Sequence, residues 1–249
     1  NAHCHVFGPR ERFPYAPDAA FAPARDEPKE ALFALNDRLG LSRCVVVQSS
    51  CHGFDNRAAE DAVAARPDRY RAIALLPTDV GDAELRRLDR AGFRGVRFNY
   101  MGHLGRQVPI EDVLALAARF APLGWHLQIH GDPALLTDLA SSLRRSPVPV
   151  VIDHIGRIDA SLGMAQRDFQ ALLALMEDER FWVKLSGMDR ITRQGPPYED
   201  AQPFARRLVA DFGWHVQVYL HPALVVDMAG LLRSLPVPVV FEHVAEIRD

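Results

Sequence analysis

Short apolar runs alternate along the chain with segments in which apolar residues recur every three or four positions. The runs are rich in Val and Ile, which is typical of buried parallel strands; they cover residues 43–48, 72–76, 93–98, 125–130, 148–153 and 181–185. The segments between them have the periodicity of amphipathic helices and cover residues 29–39, 56–65, 82–91, 110–121 and 166–177. The pattern predicts an α/β fold.

Each strand-plus-helix unit takes roughly 25–35 residues, and a chain of 249 residues has the length of a (β/α)8 barrel. We therefore predict a TIM-type barrel that forms one domain over residues 1–249. A doubly wound open sheet is the alternative. No G-x-G-x-x-G or P-loop pattern follows the first strand, which disfavours a nucleotide-binding version of that fold.

Residues 124–160 recur as residues 213–249, with 18 identities over 37 positions at an offset of 89. Each copy would supply a strand, a helix and the next strand. A duplicated half-barrel would repeat four units, whereas this repeat covers about one and a half. We therefore expect a barrel that is irregular or incomplete at its C-terminal strands.

Composition narrows the class of protein. The chain is 48% hydrophobic and 24% charged with a net charge of −3, which argues against nucleic-acid or membrane-surface partners. No apolar run approaches the ~20 residues of a membrane span, and three cysteines are too few for a disulfide framework. No signal peptide is recognisable, so we expect a cytoplasmic protein that acts on a small molecule; its oligomeric state carries no mark in the sequence.

Four histidines follow or close predicted strands. His3 and His5 lie at the end of a first predicted strand at the start of the chain; they are two residues apart, so they share one face of it. His130 and His154 close two later strands. In a barrel the carboxyl ends of the strands meet at one mouth, where catalytic groups lie. Imidazoles grouped there can polarise a carbonyl or bind a metal ion.

Arginine and serine residues take comparable places. Arg97, Arg190 and Arg157 follow or end strands, and arginines at a barrel mouth bind carboxylates in a bidentate manner. Ser49 and Ser50 also follow a strand and can donate hydrogen bonds to an anionic substrate. No G-x-S-x-G elbow is present, so a serine nucleophile is not predicted.

Several sequence motifs together resemble one group of enzymes: AHCHVFGP, RFPYAP, VVVQSSCHGFDN, GFRGVRFN, APLGWH, VIDHIGR and PFARRLV. The chain is similar over residues 1 to about 212 to the 2-pyrone-4,6-dicarboxylate lactonase group of the amidohydrolase superfamily. The resemblance implies a (β/α)8 barrel and a hydrolase that opens a carboxylated lactone ring by attack of water on a carbonyl that histidines polarise. It also implies hydrolysis without a metal or other cofactor.

The resemblance assigns roles to individual residues. It implies that His3, His5 and His154 orient the substrate and polarise the lactone carbonyl. It implies that arginines bind the carboxylates and that a further set lines the substrate pocket: Arg97 and Arg190 for the first role, and Ser49, Ser50, Tyr15, His130 and Arg157 for the second.

The sequence departs from the group at two inner positions. The group often has Tyr where this chain has His130, and metal-binding relatives have His there. A zinc site formed by His3, His5, His130 and His154 is therefore the alternative to hydrolysis without a metal. His103 stands where a second arginine is expected, with Arg106 nearby.

The third departure concerns the eighth strand. The group carries a motif similar to W-G-T-D-W-P-H-P whose Asp activates water, and the repeat occupies its place here. Replacement candidates within the repeat are Tyr219, His221, Glu242 and His243. Three alternatives to the lactonase therefore stay open: a metal-dependent amidohydrolase or decarboxylase, a sugar lactonase, and a catalytically impaired barrel.

Overall fold

The computed structural model describes residues 2–102, 107–212 and 230, together with the backbone of two short strands further along the chain. Each predicted apolar run forms a strand of one parallel sheet, in chain order: β1 (Cys44–Val47), β2 (Tyr70–Ala74), β3 (Phe93–Tyr100), β4 (His126–Gly131), β5 (Val150–Ile152) and β6 (Phe181–Val183). A parallel sheet whose neighbours follow chain order is the arrangement from which a barrel of this class is built.

Helices connect the strands: α1 (Lys29–Arg38), α2 (Arg57–Ala65), α3 (Asp82–Arg90), α4 (Ile110–Phe120), α5 (Pro133–Leu143), α6 (Arg167–Met176) and α7 (Gln202–Asp211). Five of them lie in the segments with helical periodicity, whereas α5 and α7 lie outside those segments. In α4 the buried residues Val113, Leu116, Ala117 and Phe120 follow the three- and four-residue spacing of one helix face. Within the described ranges no helix is long and apolar enough to cross a bilayer.

The N-terminal segment lies beside β1. The amide of Cys4 donates to the carbonyl of Val45 at 3.3 Å, and the amide of Val47 donates to the carbonyl of Cys4 at 2.8 Å. The first predicted strand is thus a single parallel bridge between Cys4 and Val46. Cys4 packs against the core, so His3 and His5, on either side of it, share the opposite face.

The inner face of β3 and β4 is polar. Arg97 lies opposite Gln128, and Asn99 lies opposite His130, in the register of these two strands. Between them, Leu127 and Ile129 point to the other face and are fully buried. Because strand side chains alternate in direction, one face carries the polar groups of the site while the other packs on the helices.

Two further strands, β7 (Val216–Val218) and β8 (Val239–Phe241), pair with each other in parallel. Val216 lies opposite Val239, and in the first copy Leu127 lies opposite Val150, so both partners are displaced by 89 positions. The second copy therefore repeats the strand register of the first. Closure of the barrel and its single-domain organisation remain predictions. Six residues named above lie outside the described residues: His103, Arg106, Tyr219, His221, Glu242 and His243.

Candidate active site

A buried carboxylate lies at the centre of the polar face. Asp153 follows β5 directly, and its side chain is fully buried. Its Oδ2 accepts hydrogen bonds from Arg97 Nε and from Gln128 Nε2, both at 2.9 Å. Burial by itself raises the pKa of Asp153, but the charges of Arg97 and Lys184 hold it well below its ordinary value. Such a carboxylate anchors its neighbours and is a weak base.

The second cation at this carboxylate is Lys184, the residue after β6. Its Nζ donates to Gln128 Oε1 at 3.0 Å and lies 3.3 Å from Asp153 Oδ1. A third contact joins Nζ to His3 Nδ1 at 3.2 Å. Lys184 therefore links residues of the N-terminal segment and of two strands.

Arg97 is held at one edge of its guanidinium group. Its Nε bonds Asp153, and its two Nη atoms make no hydrogen bond to any residue in the described part of the chain. Burial lowers the pKa of Arg97, and so does the charge of Arg190. An arginine fixed through Nε with both Nη atoms unused can bind a carboxylate in a bidentate manner.

Arg97 lines a cavity of about 410 Å³. The lining includes seven of the residues that sequence analysis proposed: His5, Ser49, Ser50, Arg97, His130, His154 and Arg190. The other lining residues in the described part of the chain are Phe7, Ala20 and Phe21. The ring of His3 lies against two of the lining histidines, with its centroid 4.9 Å from that of His154 and 5.0 Å from that of His5. The structure thus brings the histidines and two of the arginines together.

Tyr15 and Arg157 are not among the residues that line this cavity. The Tyr15 hydroxyl donates to Asp26 Oδ1 at 3.4 Å, and the ring lies 4.9 Å from that of His52. Arg157 is half-buried, and burial, together with the charge of Arg190, lowers its pKa. Their proposed contacts with a substrate remain predictions.

Hydrogen bonds orient the imidazoles of His5 and His130. His5 Nδ1 donates to the Val47 carbonyl at 2.8 Å, and His130 Nδ1 donates to Asn99 Oδ1 at 3.1 Å. Burial and the charge of His3 lower the pKa of His5 to about 3, and burial and the charge of Arg97 lower that of His130 to about 2. Both rings are neutral at pH 7, and each keeps an Nε2 lone pair.

His154 begins a strained turn. His154, Ile155, Gly156 and Arg157 all have positive φ, at 53°, 52°, 62° and 57°. Non-glycine residues rarely adopt this left-handed conformation, and runs of strain of this kind cluster at functional sites. The turn places His154 Nδ1 2.9 Å from Ser186 Oγ. Burial lowers the pKa of His154 to about 4, so this ring is neutral as well.

Three groups lie close enough together to hold a metal ion, and they are not the four histidines. Nitrogen or oxygen atoms of His3, Asp153 and His154 lie within 4.8 Å of one another. Their charge environment does not fit a divalent ion, because the Lys184 ammonium already lies against His3 and Asp153. A metal ion there would also face the buried charge of Arg97.

Sequence analysis did not single out Asp153, Gln128 or Lys184. Each has the same signal, a charged or amide side chain inside or directly after an otherwise apolar strand. Lys184 has a second signal, since the chain contains only two lysines.

The family model described as Amidohydrolase matches residues 1–211, and the chain belongs to this family. It is 41% identical over 221 residues to a 2-pyrone-4,6-dicarboxylate hydrolase of Comamonas testosteroni, covering 85% of this chain and 72% of the relative. It is 35% identical over 243 residues to a 4-sulfomuconolactone hydrolase of Rhizobium radiobacter, covering 94% and 81%.

A solved structure from Pseudomonas putida, described as a 2-pyrone-4,6-dicarboxylic acid hydrolase, superposes with a TM-score of 0.72 at 33% identity, covering 85% of this chain and 76% of that one. The chain is thus a lactonase-type enzyme of the amidohydrolase superfamily, as the sequence motifs imply.

Proposed function

We propose that this protein opens the ring of a carboxylated lactone similar to 2-pyrone-4,6-dicarboxylate. The observation that carries the proposal is the placement of Arg97. Asp153 holds it through Nε, and it lines the same cavity as three neutral histidines and Arg190. Two arginines at one cavity match the two carboxylates of such a substrate.

The proposed reaction adds one water molecule to the lactone. The substrate carboxylates bind Arg97 and Arg190, which places the ring carbonyl against the histidines. A histidine N–H polarises the carbonyl oxygen and stabilises the negative charge that develops there. Water forms a bond to the carbonyl carbon and the ring C–O bond breaks. One proton of the water reaches the released ring oxygen, which becomes a hydroxyl group, and the other passes to solvent as the new carboxyl group ionises.

Asp153 is not the base in this proposal. Its Oδ2 accepts two hydrogen bonds, and the cations around it hold its pKa well below the ordinary value. Its part is to fix the positions of Arg97 and Lys184. The reaction as proposed uses no metal, because Lys184 and Arg97 already supply positive charge at the only metal-sized group found in the described ranges.

The anionic group of the substrate has a second candidate. The relative matched over 94% of this chain acts on 4-sulfomuconolactone, which carries a sulfonate. The Nη atoms of Arg97 can bind a sulfonate as they bind a carboxylate, since both present oxygen atoms that accept charge-assisted hydrogen bonds. Sulfomuconolactone is therefore the second substrate to test.

A ring-opening assay tests the proposal. The ultraviolet absorbance of 2-pyrone-4,6-dicarboxylate is followed with protein that a chelator has stripped of metal. We expect turnover, and we expect Arg190→Met to lower kcat/KM by roughly 10- to 100-fold, the equivalent of one or two charge-assisted hydrogen bonds. Arg190 is exposed, so its loss should leave the fold intact.

Arg94→Met is the control: Arg94 lies on β3 with Arg97, but its guanidinium group bonds Asp89 outside the cavity. Its activity should equal that of the wild type. A folded protein that opens neither the pyrone nor the sulfonated lactone overturns the proposal, and activity that returns only with added zinc overturns its metal-free form.

A further inference from the structure

Within the described part of the chain, Lys184 Nζ has three polar partners, and each is an atom that can accept a hydrogen bond. They are Gln128 Oε1 at 3.0 Å, His3 Nδ1 at 3.2 Å and Asp153 Oδ1 at 3.3 Å. An ammonium group has three donors and no acceptor. Burial lowers the pKa of Lys184, while the Asp153 carboxylate favours its ammonium form. An ammonium group can only donate, so His3 Nδ1 accepts the hydrogen bond from Lys184.

Asp153 Oδ1 competes with Lys184 for His3 Nδ1. Asp153 Oδ1 lies 3.5 Å away and would require a hydrogen on Nδ1, but this contact is longer than the one to Lys184 and does not have hydrogen-bond geometry. A neutral imidazole donates from one nitrogen and accepts at the other. The contact with Lys184 therefore places the hydrogen of His3 on Nε2.

We infer that Lys184 is a positioning residue that fixes His3 as the Nε2–H tautomer and supplies the positive charge that a divalent cation would otherwise bring. This inference rests on the proposed function, in which a histidine N–H polarises the lactone carbonyl. In the Nε2–H form His3 is a donor to an oxygen. It has no lone pair left for a metal ion, because Lys184 uses the one on Nδ1.

Neighbouring imidazoles are oriented in the opposite sense. Hydrogen bonds from Nδ1 of His5 and His130 to oxygen atoms leave Nε2 of both rings as acceptors. Nε2 of His3 is therefore a donor, whereas Nε2 of His5 and of His130 is an acceptor. A water molecule can donate to His5 or His130 while the carbonyl oxygen accepts from His3. Lys184 thus makes His3 differ from its two neighbours in hydrogen-bonding role.

The tautomer of His3 can be measured without substrate. The protein is labelled with ¹⁵N-histidine, and long-range ¹H–¹⁵N spectra are recorded; His3→Gln assigns the signal among ten histidines. We expect the Nε2–H pattern in the wild type. In Lys184→Met we expect the hydrogen to move to Nδ1, because Asp153 Oδ1 becomes the nearest partner of that nitrogen.

Lys29→Met is the matched control, since Lys29 is the other lysine of the chain and pairs with Asp61 on the outside. It should leave the His3 signal unchanged. An Nδ1–H pattern in the wild type overturns the inference. The pattern is measured on the wild-type protein, so this outcome does not depend on whether Lys184→Met folds. An unchanged Nε2–H pattern in folded Lys184→Met overturns it as well.

Two further measurements separate positioning from a merely structural role. We expect Lys184→Met to lower kcat on the order of 100-fold, the scale of one lost donor to a developing oxyanion, with a smaller change in KM. Lys184→Arg, which keeps a donor and a positive charge, should recover part of kcat. Zinc affinity, measured by equilibrium dialysis, should rise at least tenfold in Lys184→Met and stay at the wild-type value in Lys29→Met.

Equal zinc affinity in the wild type and Lys184→Met would contradict the charge argument. The spectra and the dialysis do not depend on turnover. If the wild type fails to open any lactone while His3 shows the expected tautomer, the proposed function fails and the assignment of Lys184 to His3 stands.

Discussion

Arg97 Nε lies 2.9 Å from Asp153 Oδ2, and both side chains are withdrawn from solvent, with exposures of 7% and 0%. The two residues come from β3 and from the end of β5. Their pairing fixes one edge of the guanidinium group and leaves the other for an anion. The same contact therefore serves stability and binding.

The first prediction concerns this pair. Asp153→Asn removes the buried charge that Arg97 and Lys184 share, and leaving buried charges without a partner costs about 3–5 kcal/mol. We expect the free energy of unfolding, measured with urea, to fall by that amount. Asp138→Asn is the control, because its pair with Arg167 is exposed and contributes about 0–1 kcal/mol. Equal losses in the two variants would contradict the role of Asp153.

The second prediction concerns acid. The pKa values of His5, His130 and His154 lie at about 3, 2 and 4 in the folded protein, below the value of about 6.5 in an unfolded chain. Between these values the unfolded state binds more protons, so stability falls as the pH falls from 7 to 5. Each such histidine contributes ~2 kcal/mol to that loss.

His130→Gln tests the contribution of one ring. Urea unfolding at pH 7 and pH 5 should show a difference smaller by ~2 kcal/mol than that of the wild type, since one fewer proton is taken up on unfolding. Asp153 does not disturb the comparison, because the stability linked to its depressed pKa is lost only below about 3.9. An identical pH dependence in the variant and the wild type would show that His130 is not a buried neutral ring.

The third prediction uses two glycines. Gly187 has a φ of +69°, and a Cβ there would lie 3.1 Å from His154 Nδ1. Gly163 has a φ of +74° and open space around it. Gly187→Ala and Gly163→Ala should each lose about 1–2 kcal/mol of stability, because left-handed backbone is unfavourable with a side chain. Only Gly187→Ala should also lower kcat/KM, since its Cβ would lie 3.0 Å from Arg190 Cδ as well as against His154. Equal activities would contradict the role of these contacts.

The strands could be predicted because each contains an apolar run that stands out in the hydropathy pattern. The run at residues 93–98 correctly locates β3, but the strand continues to Tyr100. Arg97 is therefore inside the strand and not at its end. The extension escapes a hydropathy pattern because Asn99 is polar, and it is polar because it faces inward and accepts from His130.

The partners of the site could not be predicted from the same pattern. Which residues meet across β3, β4 and β5 depends on strand register, and register is decided by packing over the whole sheet. His154 could be identified from its place after a strand. Its neighbour Asp153 contacts side chains of β3 and β4 and the ammonium group of Lys184. Nothing in the local sequence distinguishes it from a polar residue that merely follows a strand.

The contact between His3 and Lys184 spans 181 positions of the chain. At a synthesis rate of about 5–20 residues per second, roughly 10–40 s separate the emergence of the two residues from the ribosome. Before Lys184 emerges, the chain already holds Arg97, Asp153 and His154, but neither Lys184 nor Arg190. The N-terminal segment therefore cannot gain this contact until β6 has been synthesised, so the site can be completed only late in synthesis.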